Sequence, residues 1–451
     1  MKCFSRNGII AMLFLGSWLG IYSVHAAESA NAARFWPQWR GPLGTGVAPH
    51  AKPPVEWSET KNVRWKTALP GKGHSTPIVW GDRVFITTAA PYGEALPAKY
   101  SGTPGGHDEE PITHRHKFML LAVDRRDGKI LWDRTLREEL PHQGGHHTAS
   151  LASGSPVTDG EHIFAFFGSW GLYCVDLNGE LRWQSDLGQL NILHGHGEGS
   201  SPALYGDTLI VNWDHEGDSF VAAFDKRTGK QRWKTARGRG SSWTTPIVVE
   251  HGGKAQVIVS GSQRIYGYDL VSGEVLWHCG GLSVENVVSS PVAGHGMVFA
   301  GSTYDQPGML AIRLDGAAGD ITGTKQVVWH RRQGASYVPS PLLYGEALYF
   351  HYHYQGMLTR LNARTGEEQP GAIRLPGIYN VYASPVAAAG RVYVTARDGV
   401  VAVLKDGASP AVIAQNRLDD RFSASPALAG NQLFLRGERF LYCIAETPQI
   451  D

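Results

Sequence analysis

Residues 199–235 read GSSPALYGDTLIVNWDHEGDSFVAAFDKRTGKQRWKT, and their pattern predicts four short strands. Residues 201–205 form the first. Gly206-Asp207 is a turn, because glycine tolerates positive φ and aspartate bonds its own backbone. Residues 208–213, rich in branched and aromatic side chains, form the second. A polar loop over 214–218 leads to the third at 220–225. Thr228-Gly229-Lys230 turns the chain into the fourth at 231–234. Four antiparallel strands in about 40 residues make one blade of a propeller.

The unit recurs. Its first-strand proline returns at Pro77, Pro156, Pro202, Pro246, Pro291, Pro341, Pro385 and Pro426. Serine or threonine precedes most of them: Ser155, Ser201, Thr245, Ser290, Ser340, Ser384 and Ser425. The turn glycine returns at Gly81, Gly160, Gly294, Gly345, Gly390 and Gly430, and the fourth-strand tryptophan at Trp132, Trp183, Trp277 and Trp329. The expectation is an all-β, eight-bladed propeller of four-stranded antiparallel blades. Residues 63–66, with Trp65, look like a fourth strand without its first three. The last repeat has three strands and no fourth. The N-terminal strand is therefore expected to complete blade 8 and close the ring, removing the open sheet edges.

The chain has 451 residues, 55 glycines, 18% charged residues and a net charge of +1. That balance gives no electrostatic case for nucleic acid or an anionic membrane surface. Residues 1–26 read as a signal peptide. Lys2 and Arg6 precede an apolar run from Ile9 to Tyr22, and Val24-His25-Ala26 offers small residues for cleavage. No cysteine stands at that point for lipid attachment. The expected product is soluble, periplasmic or secreted, with no membrane anchor after cleavage. Residues 27–62 are expected as an irregular arm docked through Trp36 and Trp39, and 63–451 as the propeller. An insertion in blade 1, at about 91–116, carries His107, Asp108, Glu109, Glu110, His114 and His116. Cys174 and Cys443 read as buried small hydrophobes at equivalent third-strand positions, Cys279 follows Trp277 at a strand end, and none belongs to a CxxC pattern.

The Ser-Pro hairpin, the aspartate after the third strand (Asp124, Asp176, Asp225, Asp269) and the ThrGlyLys-x-x-Trp run from Thr228 to Trp233 resemble the pyrroloquinoline-quinone-repeat (PQQ-like) propeller family. The resemblance covers about 70–446. The family includes quinoprotein alcohol dehydrogenases and the propeller lipoprotein of the outer-membrane β-barrel assembly machinery, which has no cofactor. The TrpProGlnTrpArgGlyPro start, from Trp36, resembles exported members of unassigned activity. The resemblance thus implies the fold more than the activity. For the dehydrogenases it implies a vicinal cysteine pair against the quinone, a stacking tryptophan, and Glu, Asn and Asp around a calcium. This chain has no adjacent cysteines. Trp243, Glu198 and Asn286 imitate part of that set.

In an antiparallel blade, the loops entering the first strand and those between strands two and three share one face, here called the top. Loops of these two kinds hold fourteen histidines. His74, His142, His146, His147, His194, His196, His278 and His330 lie at the first kind. His107, His114, His116, His215, His351 and His353 lie at the second. His162, His251 and His295 fall at bottom turns. The leading constellation joins His194-Gly195-His196-Gly197-Glu198 to Trp213-Asp214-His215-Glu216. His194, His196, His215 and His74 are the catalytic candidates, and His194, His196, Asp214, His215 and Glu216 the metal candidates, because imidazoles with carboxylates can hold a transition metal or exchange protons near neutrality. His351 and His353 are expected on one face of a strand. Glu198, Trp243, Asn286, Tyr337, Asn380, Tyr382 and Arg421, with His74, should rim the central funnel and suit a polar ligand. The first functional expectation is an exported module that binds a protein or saccharide through its His-rich top face. The alternative is a PQQ-dependent, quinoprotein-type oxidoreductase. A third is a metal- or His-dependent polysaccharide-active enzyme.

Overall fold

The computed structural model describes residues 32–353 and 355–446. The expected signal segment 1–26 and the first residues of the expected arm lie outside them. Eight four-stranded antiparallel sheets follow one another around a ring. Blade 3 holds Ala203–Tyr205, Thr208–Trp213, Phe220–Asp225 and Gln231–Ala236, paired in that order. Val63–Ala68 pairs antiparallel with Phe440–Ile444, so the N-terminal strand supplies the outer edge of blade 8 and closes the ring. Blade 4 adds a short parallel strand, Gly319–Asp320, outside its fourth.

The middle strands are buried along most of their length, and Thr208–Trp213 along all of it. Both faces of a blade are covered by its neighbours. The fourth strands alternate, because only one side packs inward: Gln231–Ala236 buries Trp233 and exposes Gln231, Arg232 and Lys234. The apolar clusters accordingly lie between blades. One joins Ile210, Val221 and Trp233 of blade 3 to Val257, Val259 and Tyr268 of blade 4.

Fourth-strand tryptophans lock five of the eight blades to the next. Trp65, Trp132, Trp183, Trp233 and Trp329 each donate Nε1–H to a carbonyl just past the following blade's third strand, at 2.8–3.0 Å. Each indole also lies against that blade's turn glycine. A Cβ on Gly128, Gly179, Gly229, Gly273 or Gly366 would come within 2.5–2.9 Å of the ring, and all five glycines have positive φ. Trp277 departs from the rule and bonds Gln256 of its own blade.

The arm lies across the lower mouth of the channel. Trp36 pairs with Val79 of blade 1, and Pro37 accepts from Thr158 of blade 2. On the far side Thr45 accepts from Leu343 of blade 6, and Gly46 and Ala48 pair with Ala387 of blade 7. Between these contacts the buried Arg40 donates to the carbonyls of Pro341 and Pro385, both at 2.8 Å. Burial pushes its guanidinium down to about 9. A Cβ on Gly46 would meet that guanidinium at 2.3 Å. Trp36 is wholly buried, whereas Trp39 is only half-buried.

Replacing Trp233, which is 8% exposed and bonded to Leu270 O, with alanine is expected to cost about 3–5 kcal/mol. Denaturant unfolding of Trp233→Ala checks this. A loss below about 1 kcal/mol would show that the indole does not lock blades 3 and 4.

Candidate functional site

Three top loops meet over blades 1–3. The insertion runs on from two long paired strands, Arg83–Tyr92 and Arg115–Asp124, and folds back over the top. Its residues Glu109–Glu110 pair antiparallel with Gly145–His146 in the loop between blades 1 and 2. Asp108 O accepts from His147 N at 2.8 Å, and His196 O accepts from His146 N at 3.3 Å. The loop between blades 1 and 2 is thereby tied both to the insertion and to the loop between blades 2 and 3.

Five imidazoles gather there. Ring centres of His107 and His196 are 5.0 Å apart, those of His146 and His196 5.3 Å, and those of His194 and His196 5.4 Å. His107 lies 5.8 Å from His194 and 6.3 Å from His146, and His147 lies 4.3 Å from His146. Glycines make the approach possible. A Cβ on Gly195 would meet Glu109 Oε1 at 2.4 Å, one on Gly105 would meet His194 Nδ1 at 2.7 Å, and one on Gly197 would meet Gly145 Cα at 3.3 Å. Burial, then the neighbouring histidines, push His196 down to about 4, so it is neutral at physiological pH. Beside the cluster opens a cavity of about 230 Å³, lined by His114, His116 and His146 with Lys72 and Glu110.

The structure divides the sequence-derived constellation. His194 and His196 belong to the cluster. Asp214, His215 and Glu216 do not converge on them as ligands. Asp214 is locked to the buried Arg237 at 2.7 and 3.0 Å and accepts from Ser242. His215 Nδ1 accepts from Asn191 N at 3.0 Å. Glu216 accepts from Ser241 N and Oγ, and that same hydroxyl receives Leu193 N. These three side chains are struts that hold the start of the His194–His196 loop. His351 is fully buried at a strand end, and His353 follows with φ +53°. The left-handed turn breaks the alternation, so the two do not share a strand face.

The rim residues take separate partners. Glu198 accepts from Ser169 N and Oγ at 2.7 and 2.5 Å, and burial pushes it up to about 8 against those bonds. Trp243 donates to Gly197 O and lies 6.4 Å from His196. Asn286 is buried with φ +52°. Tyr337 stacks on Tyr304 at 6.2 Å. Asn380 and Arg421 are exposed, and Arg397 lies 5.3 Å over Tyr382. His74 stands apart from the cluster, at a cationic stretch of rim. Its Nε2 is shut from solvent without a partner, and burial, then Lys72, Arg436 and Arg397, hold it well below the usual range. His107, His146 and His147 are the members that were not among the candidates. The available signal was the His- and Gly-rich composition of both loops.

Comparison with known proteins agrees with this fold. A family model described as outer membrane protein assembly factor BamB matches residues 116–371. The chain belongs to that family of PQQ-repeat propellers. BamB from Moraxella catarrhalis is 14% identical, with a TM-score of 0.54 over 79% of this chain and 98% of that one. A quinohemoprotein alcohol dehydrogenase from Comamonas testosteroni is 9% identical, with a TM-score of 0.61 over 94% of this chain and 83% of that one. A europium-containing methanol dehydrogenase, 10% identical, superposes with a TM-score of 0.59 over 89% of each chain. A polyvinylalcohol dehydrogenase from a Pseudomonas species is 23% identical over 48% of this chain, and the match spans 35% of that protein's length.

The dehydrogenase set of quinone and calcium contacts does not fit these residues. The three described cysteines are free and buried in blades 2, 4 and 8. Each carboxylate oxygen of Glu198 accepts one hydrogen bond from Ser169, so the misfit rests on the separated cysteines.

Glu198 binds its proton more tightly in the folded chain than in the unfolded one. Its contribution to stability is full below about pH 4.5 and lost as pH rises through about 8. Glu198→Gln should therefore melt close to the parent at pH 5 and above it at pH 9. Thermal unfolding across that range tests it. A parent that melts above the variant at pH 9 would refute a protonated Glu198.

Proposed function

We propose that this chain is an exported binding propeller that holds a protein segment or a saccharide on its top face. The asymmetry of the two faces supports the reading. The arm and Arg40 occupy the lower mouth, whereas the top carries the long loops, the imidazole cluster and the adjoining cavity. Exposed phenols complete the top surface: Tyr100 at 61%, Tyr304 at 46% and Tyr379 at 66%. Rigid rings with a polar tip suit either kind of ligand. The matched family's description as an assembly factor favours a protein. A quinone-dependent dehydrogenase is the second reading. It draws on the names of the relatives and lacks a fitting residue set.

Export follows from residues 1–26, and cleavage after Ala26 would leave Ala27 as the new N-terminus. No helix among the described residues is long and apolar enough to cross a membrane.

A photo-crosslinking side chain placed at Tyr379 on the top, or at Val271 on the bottom and 85% exposed, tests the choice of face in source cells. Adducts are expected from position 379 and not from 271. Mass spectrometry of the adduct then tells a peptide from a glycan. Equal labelling at both positions, or labelling from 271 alone, would sink the reading.

A further inference from the structure

We infer that His107, His194 and His196, with His146 in reach as a fourth ligand, form a site for one divalent first-row transition metal of the zinc class. The site deepens the top-face reading and rests on it for the role of that face. None of the earlier metal candidates outside the His194–His196 loop takes part.

The first support is spacing. A zinc–nitrogen bond is about 2.0–2.1 Å, and a ring nitrogen lies about 1.1 Å from its ring centre, so tetrahedrally arranged imidazoles have centres about 5.2 Å apart. The three principal rings are separated by 5.0, 5.4 and 5.8 Å. His146 lies 5.3 Å from His196 and 6.3 Å from His107. Packed rings in general sit about 4.5–7 Å apart, so this spacing permits a shared ion, and the ring nitrogens carry the argument further.

The second support is the state of the ring nitrogens. His107 Nδ1 lies 3.1 Å from Gly105 O, and His194 Nδ1 lies 3.4 Å from Pro104 O. A carbonyl only accepts, so each Nδ1 carries the proton and each Nε2 keeps its lone pair. A backbone carbonyl on the distal nitrogen is the usual support of a metal-ligating histidine. His146 differs: its Nδ1 accepts from Thr148 N at 3.2 Å, so its Nε2 carries the proton, 4.0 Å from Asp108 Oδ2, and ligation by His146 takes a change of tautomer. His196 Nε2 is shut from solvent and has no partner.

The third support is charge. Asp108 Oδ2 lies 4.0 Å from His146 Nε2, and Glu285 Oε2 lies 3.8 Å from His194 Nε2. Glu109, held by Ser101 N at 3.0 Å, sits against Gly195. These carboxylates offset a dication held by neutral ligands. Among the described residues no three donor groups yet close on one centre. Uptake therefore takes rotation of the rings about their side-chain bonds, with the loop backbones in place. A bound metal would pin the insertion to the loops before blades 2 and 3.

The test uses the full chain without a polyhistidine tag, stripped with chelator and titrated with zinc chloride by calorimetry. One zinc per chain at micromolar affinity or tighter is expected. Cobalt(II) should give the intense visible bands of a tetrahedral nitrogen site. His107→Gln, His194→Gln and His196→Gln should each weaken zinc binding about a hundred-fold or more, and His162→Gln, on the bottom, should leave it unchanged. Circular dichroism and melting of the stripped variants show that they fold. Should a single variant fail to fold, His107→Gln, on the exposed insertion, carries the test. No stoichiometric uptake by the parent, or full uptake by the folded His107→Gln and His196→Gln double variant, overturns the site. Cross-linking from position 379 needs no metal, so its failure and the failure of zinc binding are separate results.

Discussion

The ring is held at its narrowest circumference by hydroxyls. The residue before each first-strand proline donates its N–H to the hydroxyl of the equivalent residue one blade on. Thr76 donates to Ser155, Ser155 to Ser201, Ser201 to Thr245, Thr245 to Ser290, Ser290 to Ser340, Ser340 to Ser384 and Ser384 to Ser425, all at 2.8–3.1 Å. Innermost strands have no further strand to pair with, so their axial edge needs other partners. Proline leaves no donor on that edge, and a short hydroxyl satisfies the donor beside it. Each link contributes about 0.5–1.5 kcal/mol net. The series opens at the seam between blades 8 and 1, where Thr76 Oγ1 has no partner. Arg436 of blade 8 crosses that seam instead, donating to Ser75 Oγ and Thr87 O. The Val63–Ala68 strand closes it from the outside.

That inner belt explains why the blade count was legible. Ser/Thr-Pro is a device of the ring itself, so one copy must occur per blade. The outer lock, tryptophan against a left-handed glycine, was visible in fewer blades, as a Gly-x-x-x-Trp spacing that ends at Trp132, Trp183, Trp233 and Trp277. Trp277 shows where pattern stops. Blade 5 has no such tight turn between its last two strands. It runs through Gly319–Asp320, which pairs alongside Trp277 and His278. With no glycine to lie against in the next blade, Trp277 turns into its own sheet against Gly267 and Gln256. An insertion redirected the side chain, and local spacing carries no trace of it.

The site was legible only as far as topology reaches. Strand order alone places the loops of His107, His146 and His194 on one face. Which of them touch depends on the two-residue ladder of Glu109–Glu110 with Gly145–His146, too short for any periodic signal. Conversely Asp214, His215 and Glu216 looked like ligands because carboxylates and imidazole stood together in sequence. In the fold, Arg237, Asn191 and Ser241 claim them, all supplied from other loops. Composition reveals a polar loop, and only its tertiary partners distinguish a strut from a ligand.

The struts also account for His194. Its backbone sits at φ +55°, a conformation that costs a residue with a Cβ on the order of 1–3 kcal/mol. Glycine flanks it on one side at Gly195, itself at φ +66°, so glycine was available to this loop. The strained geometry survives because Leu193 and Asn191 are fastened from outside by Ser241 and His215. What the strain achieves is direction. It turns the ring toward His107 and His196, with Nδ1 against Pro104 O. His295 and Ala389 take the same backbone conformation at bottom turns, so the strain by itself marks no site; at His194 its consequence is the direction of the ring.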